Sequence, residues 1–363
     1  MADQRDRKKK NQTTEENLPE GLDMIDLEGE TEAEAEPLRH FNVFHLIFLA
    51  LFVLIVGVIV IRIRQTGSFV DLRSVITGEE EEVAADSFDN IMPLLDADGY
   101  LVKQEVDTIL LFGNSPFADD RDSEDGLANL IAKKTGARVI NCAVTGSYQA
   151  ATEERVYPKI NSMDAFIPYW IIMNALDGTT AQFPAEVEEA LGDAAPPDGQ
   201  LAYDNLMSVD LNDVDVCVIF YDLTDYFLDR PIHYDNDFQN PTSYVGSLGD
   251  TVVLLRVYYP NIRFIVMGPT YAYYVEEDGS YSDAELRSNS YGKPSDYALW
   301  EYSVSADRLG VSYVDNYFHS INCNNASEYL TDNIHINQKG RELLADRLVY
   351  FINYYRDGIP QED

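Results

Sequence analysis

Five short apolar runs constrain the fold of this 363-residue chain more than any other feature. They read TILLFG at 108–113, ARVINCA at 137–143, DVCVIFY at 215–221, IRFIVMG at 262–268 and VSYVDNY at 311–317. Continuous apolar runs of this length are typical of parallel strands that are buried on both faces. Several segments between them, such as EDGLANLIAKKTG, have the spacing of amphipathic helices. The sequence therefore predicts an α/β fold, a three-layer α/β/α flavodoxin-like sandwich around a five-stranded parallel sheet.

The interval between the second and third runs is longer than one crossover helix requires. We expect an insertion at about 163–212, with helices in AFIPYWIIMNALDG and PAEVEEALGDA and with the loop APPDGQ leading towards the third strand. Its aromatic and Met side chains are expected to pack in a core rather than to form a ligand surface.

A longer apolar segment, FNVFHLIFLALFVLIVGVIVI at 41–61, contains no formally charged residue and is long enough to span a bilayer. The apolar region of a cleaved signal peptide is usually shorter, and the following RIRQTGSFVD offers no small-residue cleavage site. The sequence therefore predicts a retained transmembrane helix at 41–62. A disordered acidic tail at 1–40 precedes it, and a linker with a small hairpin at 63–106 leads to a folded domain at 107–355.

The charge balance excludes one class of partner. The chain has 63 acidic and 26 basic residues and a formal net charge of -37, so it is not an electrostatic nucleic-acid binder. Its three cysteines lie far apart and indicate neither a disulfide framework nor a zinc site. Acidic stretches such as FADDRDSEDG fit no calcium loop and are expected to be solvated faces. No metal ion or organic cofactor is implied.

Candidate reactive residues follow the first and last apolar runs, where ligands collect in parallel sheets. Ser115 follows the first run, and a Ser at a strand-to-helix turn can expose its hydroxyl beside N–H groups that hold an oxyanion. Asp332 and His335 stand three apart before the final helical segment, and such an Asp can orient the ring of a His that acts as a base. Taken singly, Ser115 is more typical of a helix cap or turn, and the Asp332–His335 spacing is equally typical of a helix cap beside a surface His.

Together these segments resemble the SGNH (GDSL-like) hydrolase superfamily over residues 107–352. The first block of that family is Gly-Asp-Ser, and here FGNS stands in its place; the last block is Asp-x-x-His, which DNIH matches, with Gly340 and a helix following as they usually do in the family. By this likeness Ser115 is the nucleophile, His335 the base and Asp332 its orienting partner.

The resemblance also implies an oxyanion site. It would be built from the Ser115 N–H group, from Gly146 in VINCAVTGSYQA and from the third block, Gly-x-Asn-Asp. That block departs from the family pattern, because DLTD at 222–225 puts Thr224 in the place of the Asn. The first block departs as well, with Asn114 in the place of its Asp.

The likeness implies an esterase or O-acyltransferase that acts through an acyl-enzyme on small esters or acylated carbohydrates. Together with the predicted membrane anchor, it makes O-acyl groups of extracellular glycans the expected target. Four tyrosines after the fourth run could stack on sugar rings or pack in a flap: Tyr271, Tyr273, Tyr274 and Tyr281. The two altered blocks keep a second hypothesis open, an inactive SGNH-fold binding or scaffold domain at the cell surface.

We predict that the tail is cytoplasmic and that the domain is extracellular. Six Lys and Arg residues lie in the tail, which favours this orientation, whereas Arg62 and Arg64 directly after the apolar segment favour the opposite one. Protease added to intact cells or spheroplasts should digest the domain at 107–352 and spare the tail. A protected domain together with a digested tail would reverse the orientation.

Overall fold

The computed structural model describes residues 87–96, 98–102, 105–153, 163–177, 183–235 and 237–355, all within one compact unit, Glu82–Asp363. The predicted tail, the predicted transmembrane helix and the linker up to residue 86 lie outside the described residues. No helix within the described ranges is long and apolar enough to cross a membrane.

Five parallel strands form the central sheet in the spatial order β2-β1-β3-β4-β7, and two short strands form a separate antiparallel hairpin. The strands are β1 Thr108–Gly113, β2 Arg138–Asn141, β3 Val216–Phe220, β4 Arg263–Met267, β5 Tyr273–Val275, β6 Tyr281–Asp283 and β7 Ser312–Val314. The five strands of the sheet fall on the five apolar runs, so the predicted five-stranded parallel sheet is confirmed.

Helices occupy most of the connections between the strands. The α-helices are α1 Ser115–Ala118, α2 Leu127–Thr135, α3 Pro168–Asp177, α4 Phe183–Leu191, α5 Gly199–Met207, α6 Thr224–Phe227, α7 Tyr244–Tyr258, α8 Pro294–Ser303, α9 Ala326–Tyr329 and α10 Gln338–Asn353. Short 3-10 turns at Met163–Phe166, Gly192–Ala194, Leu211–Asp213 and Ala284–Leu286 and π-helical segments at Val304–Leu309 and Asn316–Ser320 complete the list.

The strand order determines which helices share a layer. The chain steps from β1 to β2 in one direction along the sheet and from β2 through β3 and β4 to β7 in the other. Right-handed crossovers therefore put α2 on one face and α7 and α8 on the opposite face. The final helix α10 packs against α2, and α3 packs against α7. The result is the helix-sheet-helix layering that the sequence predicts.

The core lies on both faces of the three central strands. Every residue of β1, β3 and β4 is buried, whereas β2 lies at an edge of the sheet and is only partly buried. At the opposite edge of the sheet, the segment that precedes residue 107 forms one antiparallel bridge with β7. In this bridge Asn90 and Tyr313 exchange two backbone hydrogen bonds of 2.9 and 2.8 Å. A small turn around Gly99 then brings Leu95 opposite Leu101.

The insertion contains one helix that the sequence analysis did not predict. Helix α5 begins within the segment that we expected to be a loop, and it buries Ala202, Tyr203 and Leu206. Gly, Asp and Asn residues lower the helix propensity of this segment, so contacts across the fold rather than local preference stabilise the helix. The aromatic side chains of the insertion pack as expected, with Phe166 and Tyr203 in the main core and Trp170 in a second apolar cluster.

Candidate active site

Ser115 lies where β1 turns into helix α1. Gly113 ends the strand opposite Phe220 of β3, and a Cβ atom on Gly113 would lie only 2.0 Å from the Phe220 carbonyl oxygen. Glycine therefore lets the two strands stay paired up to their last residues. Ser115 is the first residue of α1, so its N–H group has no partner inside the helix. Within the described part of the chain its hydroxyl forms no hydrogen bond, which leaves both groups available to a ligand.

The Asn114 side chain joins the loops that follow the three strands β1, β2 and β3. Its amide nitrogen donates to Asp222 Oδ1 at 2.7 Å and to the Ser147 carbonyl oxygen at 3.1 Å. Its amide oxygen accepts a hydrogen bond from the Asp222 N–H group at 3.1 Å. The residue that stands in place of the family's Asp thus connects the turn that carries Ser115 to both neighbouring loops.

The Thr224 hydroxyl, which we predicted as an oxyanion donor, is occupied. It donates to Asp222 Oδ1 at 2.6 Å, and the Thr224 N–H group donates to the same oxygen at 2.9 Å. Burial raises the pKa of Asp222, and the hydrogen bonds from Thr224 and Asn114 oppose that rise. In this structure the Thr224 hydroxyl of the third block, DLTD at 222–225, therefore belongs to an internal hydrogen-bond network with Asp222 and Asn114.

The backbone of Gly146 is available for the oxyanion role that the resemblance implies. It is exposed in the loop after β2 with a φ of 70°, and its N–H group has no partner among the described residues. The Asp225 carboxylate holds this loop, because its two oxygens accept hydrogen bonds of 2.8 Å from the Gln149 and Ala150 N–H groups. Burial raises the pKa of Asp225 to about 7.

Asp332 and His335 form a directly bonded pair in the candidate site. Asp332 Oδ2 lies 2.7 Å from His335 Nδ1, while Asp332 Oδ1 accepts hydrogen bonds from the Ile334 and His335 N–H groups at 2.9 and 2.8 Å. A backbone hydrogen bond of 2.7 Å from Thr331 N to the His335 carbonyl oxygen closes the loop. Because Nδ1 faces the carboxylate, the ring is held with Nε2 free of partners among the described residues.

The electrostatics of this pair suit a base. Burial of the ring lowers the pKa of His335, but the hydrogen bond and charge of Asp332 and the charges of Asp119 and Asp222 outweigh it, so the pKa lies above its ordinary value. Burial raises the pKa of Asp332, and the hydrogen bonds from Ile334 and His335 outweigh that effect and lower it. An ionised Asp332 therefore stabilises an imidazolium at His335.

A buried arginine connects the loop that carries His335 to the loop that follows Ser115. Arg341 Nη1 donates to the Ile336 carbonyl oxygen at 3.1 Å and Nε donates to the Asp125 carbonyl oxygen at 2.8 Å, while Nη2 forms an ion pair of 2.9 Å with Asp120 Oδ2. The acidic stretch at 117–126, expected to be a solvated face, thus packs in part against the start of the final helix. Arg341 is not predicted from the sequence, because nothing in KGRELL marks that side chain as buried.

The structure brings the predicted residues to one edge of the sheet without bonding all of them to one another. Ser115, Gly146 and Thr224 follow β1, β2 and β3, and His335 lies close enough to Asp119 and Asp222 for their charges to raise its pKa. No hydrogen bond joins the Ser115 hydroxyl to the His335 ring in the described residues. Such catalytic hydrogen bonds are often long until a substrate is bound.

Among the described residues no group of three or more His, Cys, Asp or Glu side chains could hold a metal ion, and all three cysteines are free.

We predict that Thr224→Val lowers turnover of an ester only a few-fold. The hydroxyl is turned towards Asp222, whereas loss of a direct oxyanion donor typically costs roughly 100 to 1000-fold in turnover. Thr224→Ser is the matched control, because it keeps the hydroxyl and removes only a methyl group. A loss of roughly 100-fold or more in Thr224→Val alone would show that the hydroxyl rotates onto the oxyanion during the reaction.

Comparisons with known proteins return matches among solved structures. No protein-family model and no curated protein matches this chain. Eighteen chains of solved structures do. One is a possible lipase from Chitinophaga pinensis, which is 13% identical with a TM-score of 0.44; the match covers 67% of this chain and 96% of that chain.

Two others carry more specific names. A candidate SGNH hydrolase from Slackia heliotrinireducens is 14% identical with a TM-score of 0.36, and the match covers 68% of this chain and 99% of that chain. A carbohydrate acetylesterase from Sinorhizobium meliloti is 12% identical with a TM-score of 0.38, and the match covers 68% of this chain and 98% of that chain. The chain is similar to these solved structures, one of which is named as an SGNH hydrolase.

Proposed function

We propose that this protein is a serine ester hydrolase that works through an acyl-enzyme. The observation that carries the proposal is the Asp332–His335 pair, whose 2.7 Å contact leaves Nε2 free at the edge of the sheet where Ser115 begins a helix with an unbonded hydroxyl. Acyl transfer requires a nucleophile, an oriented base and unpaired N–H groups close together, and all three lie at this edge of the sheet.

In the proposed reaction the Ser115 Oγ atom attacks the carbonyl carbon of the ester while His335 Nε2 takes the hydroxyl proton. The N–H groups of Ser115 and Gly146 donate to the oxyanion that forms, and Asp332 stabilises the imidazolium through Nδ1–H. When the carbon–oxygen bond breaks, His335 returns the proton to the leaving alcohol. A water molecule, or a hydroxyl group of an acceptor in a transferase, then resolves the acyl-enzyme. These steps use the side chains and backbone of this chain and need no metal ion or organic cofactor.

The finer part of the proposal is a membrane-anchored enzyme at the cell surface that acts on O-acyl groups of glycans. Beside helix α6 lies a groove of about 450 Å³ whose lining includes Phe227, Tyr274 and Arg287. The β5–β6 hairpin that forms one wall is bonded to the loop of the Asp332–His335 pair, since Tyr273 N donates to the Asn333 carbonyl oxygen at 2.8 Å. Aromatic rings beside an ester-cleaving centre support binding of a sugar ring.

The four tyrosines singled out in the sequence divide between packing and exposure. Tyr271 is buried and its hydroxyl bonds to Asp283, so it packs. Tyr273 and Tyr281 stack on each other with ring centroids 6.0 Å apart. Tyr274 lines the groove, with the Arg287 guanidinium 4.0 Å from its ring centroid. Of the four, Tyr274 is thus the residue that supports a sugar-binding wall.

A second candidate function is the inactive binding or scaffold domain. The occupied Thr224 hydroxyl favours it, because the site then keeps only backbone donors for an oxyanion. Ester hydrolysis and phosphonate labelling of Ser115, described next, separate the two candidate functions.

We predict that the purified full-length chain hydrolyses nitrophenyl acetate and takes up a serine-reactive phosphonate at Ser115. Ser115→Ala and His335→Ala should each lower turnover by roughly a thousandfold or more, because the two residues act as a unit. Ser208→Ala and His319→Ala, at exposed positions, are the matched controls and should leave turnover unchanged. A wild-type chain that neither turns over any ester nor takes the label would favour the binding domain.

We also predict that the rate rises with pH as His335 loses its proton, with a midpoint above the ordinary histidine pKa of about 6.5. The raised pKa moves the neutral, basic form of the ring to higher pH. Asp332→Asn should lower both the midpoint and the plateau rate, because the amide neither raises the pKa of His335 nor stabilises the imidazolium. Glu342→Gln, at an exposed site on helix α10, is the control. An unchanged midpoint in Asp332→Asn would exclude His335 as the titrating base.

A further inference from the structure

Asp119 places a carboxylate without a partner beside the candidate nucleophile. Its N–H group donates to the Ser115 carbonyl oxygen at 2.8 Å, so the residue lies one helical turn beyond Ser115. Its side chain is partly buried, and it forms no hydrogen bond or ion pair with any described residue. Burial raises the pKa of Asp119 more than the nearby charge of His335 lowers it. The carboxylate is therefore partly desolvated, and no described side chain is bonded to it.

The arginines near the loop that follows Ser115 are already bonded to groups other than Asp119. Arg341 forms its ion pair with the neighbouring Asp120, and its remaining contacts are the two carbonyl oxygens described above. Arg121 Nη2 lies 2.7 Å from both Asp198 Oδ2 and the Ala143 carbonyl oxygen. The Arg341 bridge also explains why Asp119 and His335 are close, since each is the chain neighbour of a residue that Arg341 holds. The charges of His335 and Arg341 both lower the pKa of Asp119, but His335 is bonded to Asp332 and Arg341 is paired with Asp120.

A second oxygen in the site lacks a partner. Asp222 is 1% exposed, and its Oδ2 atom is buried without a hydrogen bond although Oδ1 accepts three. The charges of Asp119, Asp222 and Asp332 all act on the His335 ring. When the ring is neutral, as a base must be, Arg341 is the described cation whose charge still acts on Asp119, and it is already paired with Asp120, so the site keeps an excess of negative charge.

This charge discriminates among substrates. A carboxylate or phosphate group near the ester would be repelled, and the oxyanion that forms at the carbonyl would add to the negative charge. A cationic group on the substrate would be attracted in the ground state and more strongly in the transition state, where the oxyanion is present. We propose that Asp119 makes the enzyme selective for esters that carry an ammonium group close to the scissile bond. The proposal rests on the proposed esterase function and names the substrate class for the same site.

The test compares charged esters with uncharged isosteres on the purified full-length chain at low ionic strength. For an ammonium group in the alcohol part, acetylcholine is compared with the ester in which a tert-butyl group replaces the trimethylammonium group. For an ammonium group in the acyl part, protonated glycine ethyl ester is compared with ethyl propionate. We expect kcat/KM to favour the charged member of at least one pair by about tenfold or more, and added salt should reduce the preference.

Asp119→Asn should remove this preference while the uncharged esters are still hydrolysed. Asp122→Asn is the matched control, because Asp122 is an exposed acid in the same loop and no hydrogen bond or ion pair with a described residue is found for it. A purely structural role of Asp119 would lower kcat/KM for both members of a pair equally, and that outcome overturns the proposal. Equal rates for charged and uncharged esters in the wild type overturn it as well and leave the esterase function intact. If no ester is hydrolysed and Ser115 takes no phosphonate, the proposed function fails and this inference fails with it.

Discussion

The candidate site depends on the close approach of strands β1 and β3 and on the hydrogen bonds that continue it beyond their ends. Gly113 allows the backbones to stay paired up to the Phe220 carbonyl group, and the Asn114–Asp222 pair then joins the two loops directly. This junction is the switch point of the sheet, because the chain leaves β1 in one direction and reaches β3 from the other. Ser115 is the next residue after Asn114, so its position follows from this junction.

Buried carboxylates hold the loops of the site in place. Asp222 accepts hydrogen bonds from the side chains of Asn114 and Thr224. Asp225 accepts hydrogen bonds from backbone N–H groups of the loop that carries Gly146. Both pKa values are raised, because each carboxylate loses more hydration than its hydrogen bonds return. These two side chains are buried, and their hydrogen bonds fix the loops that carry Gly146 and Thr224.

The second half of the site reaches the first through Arg341. The Asp332–His335 pair lies in a short loop that is closed by its own hydrogen bonds and could form almost anywhere on a surface. Arg341 draws that loop towards the segment after Ser115, and it does so with a guanidinium group that is almost entirely buried. The same contact brings Asp119 near His335 while Arg341 itself pairs with Asp120. The geometry that assembles the proposed catalytic residues therefore also produces the negative charge from which the substrate preference is inferred.

The sequence by itself determined the features that depend on interactions between residues close together in the chain. Continuous apolar runs become strands because a parallel sheet buries both faces, and the Asp332-x-x-His335 contact forms because three residues of loop bring the two side chains together. Only the tertiary structure decided the orientation of the Thr224 hydroxyl, the burial of Arg341 and the isolation of Asp119. The Asn114–Asp222 contact spans 108 residues and the Arg341–Asp125 contact spans 216, so no spacing along the chain reveals them. Helix α5 is absent from the sequence pattern for the same reason, since packing across the fold compensates for its weak intrinsic propensity.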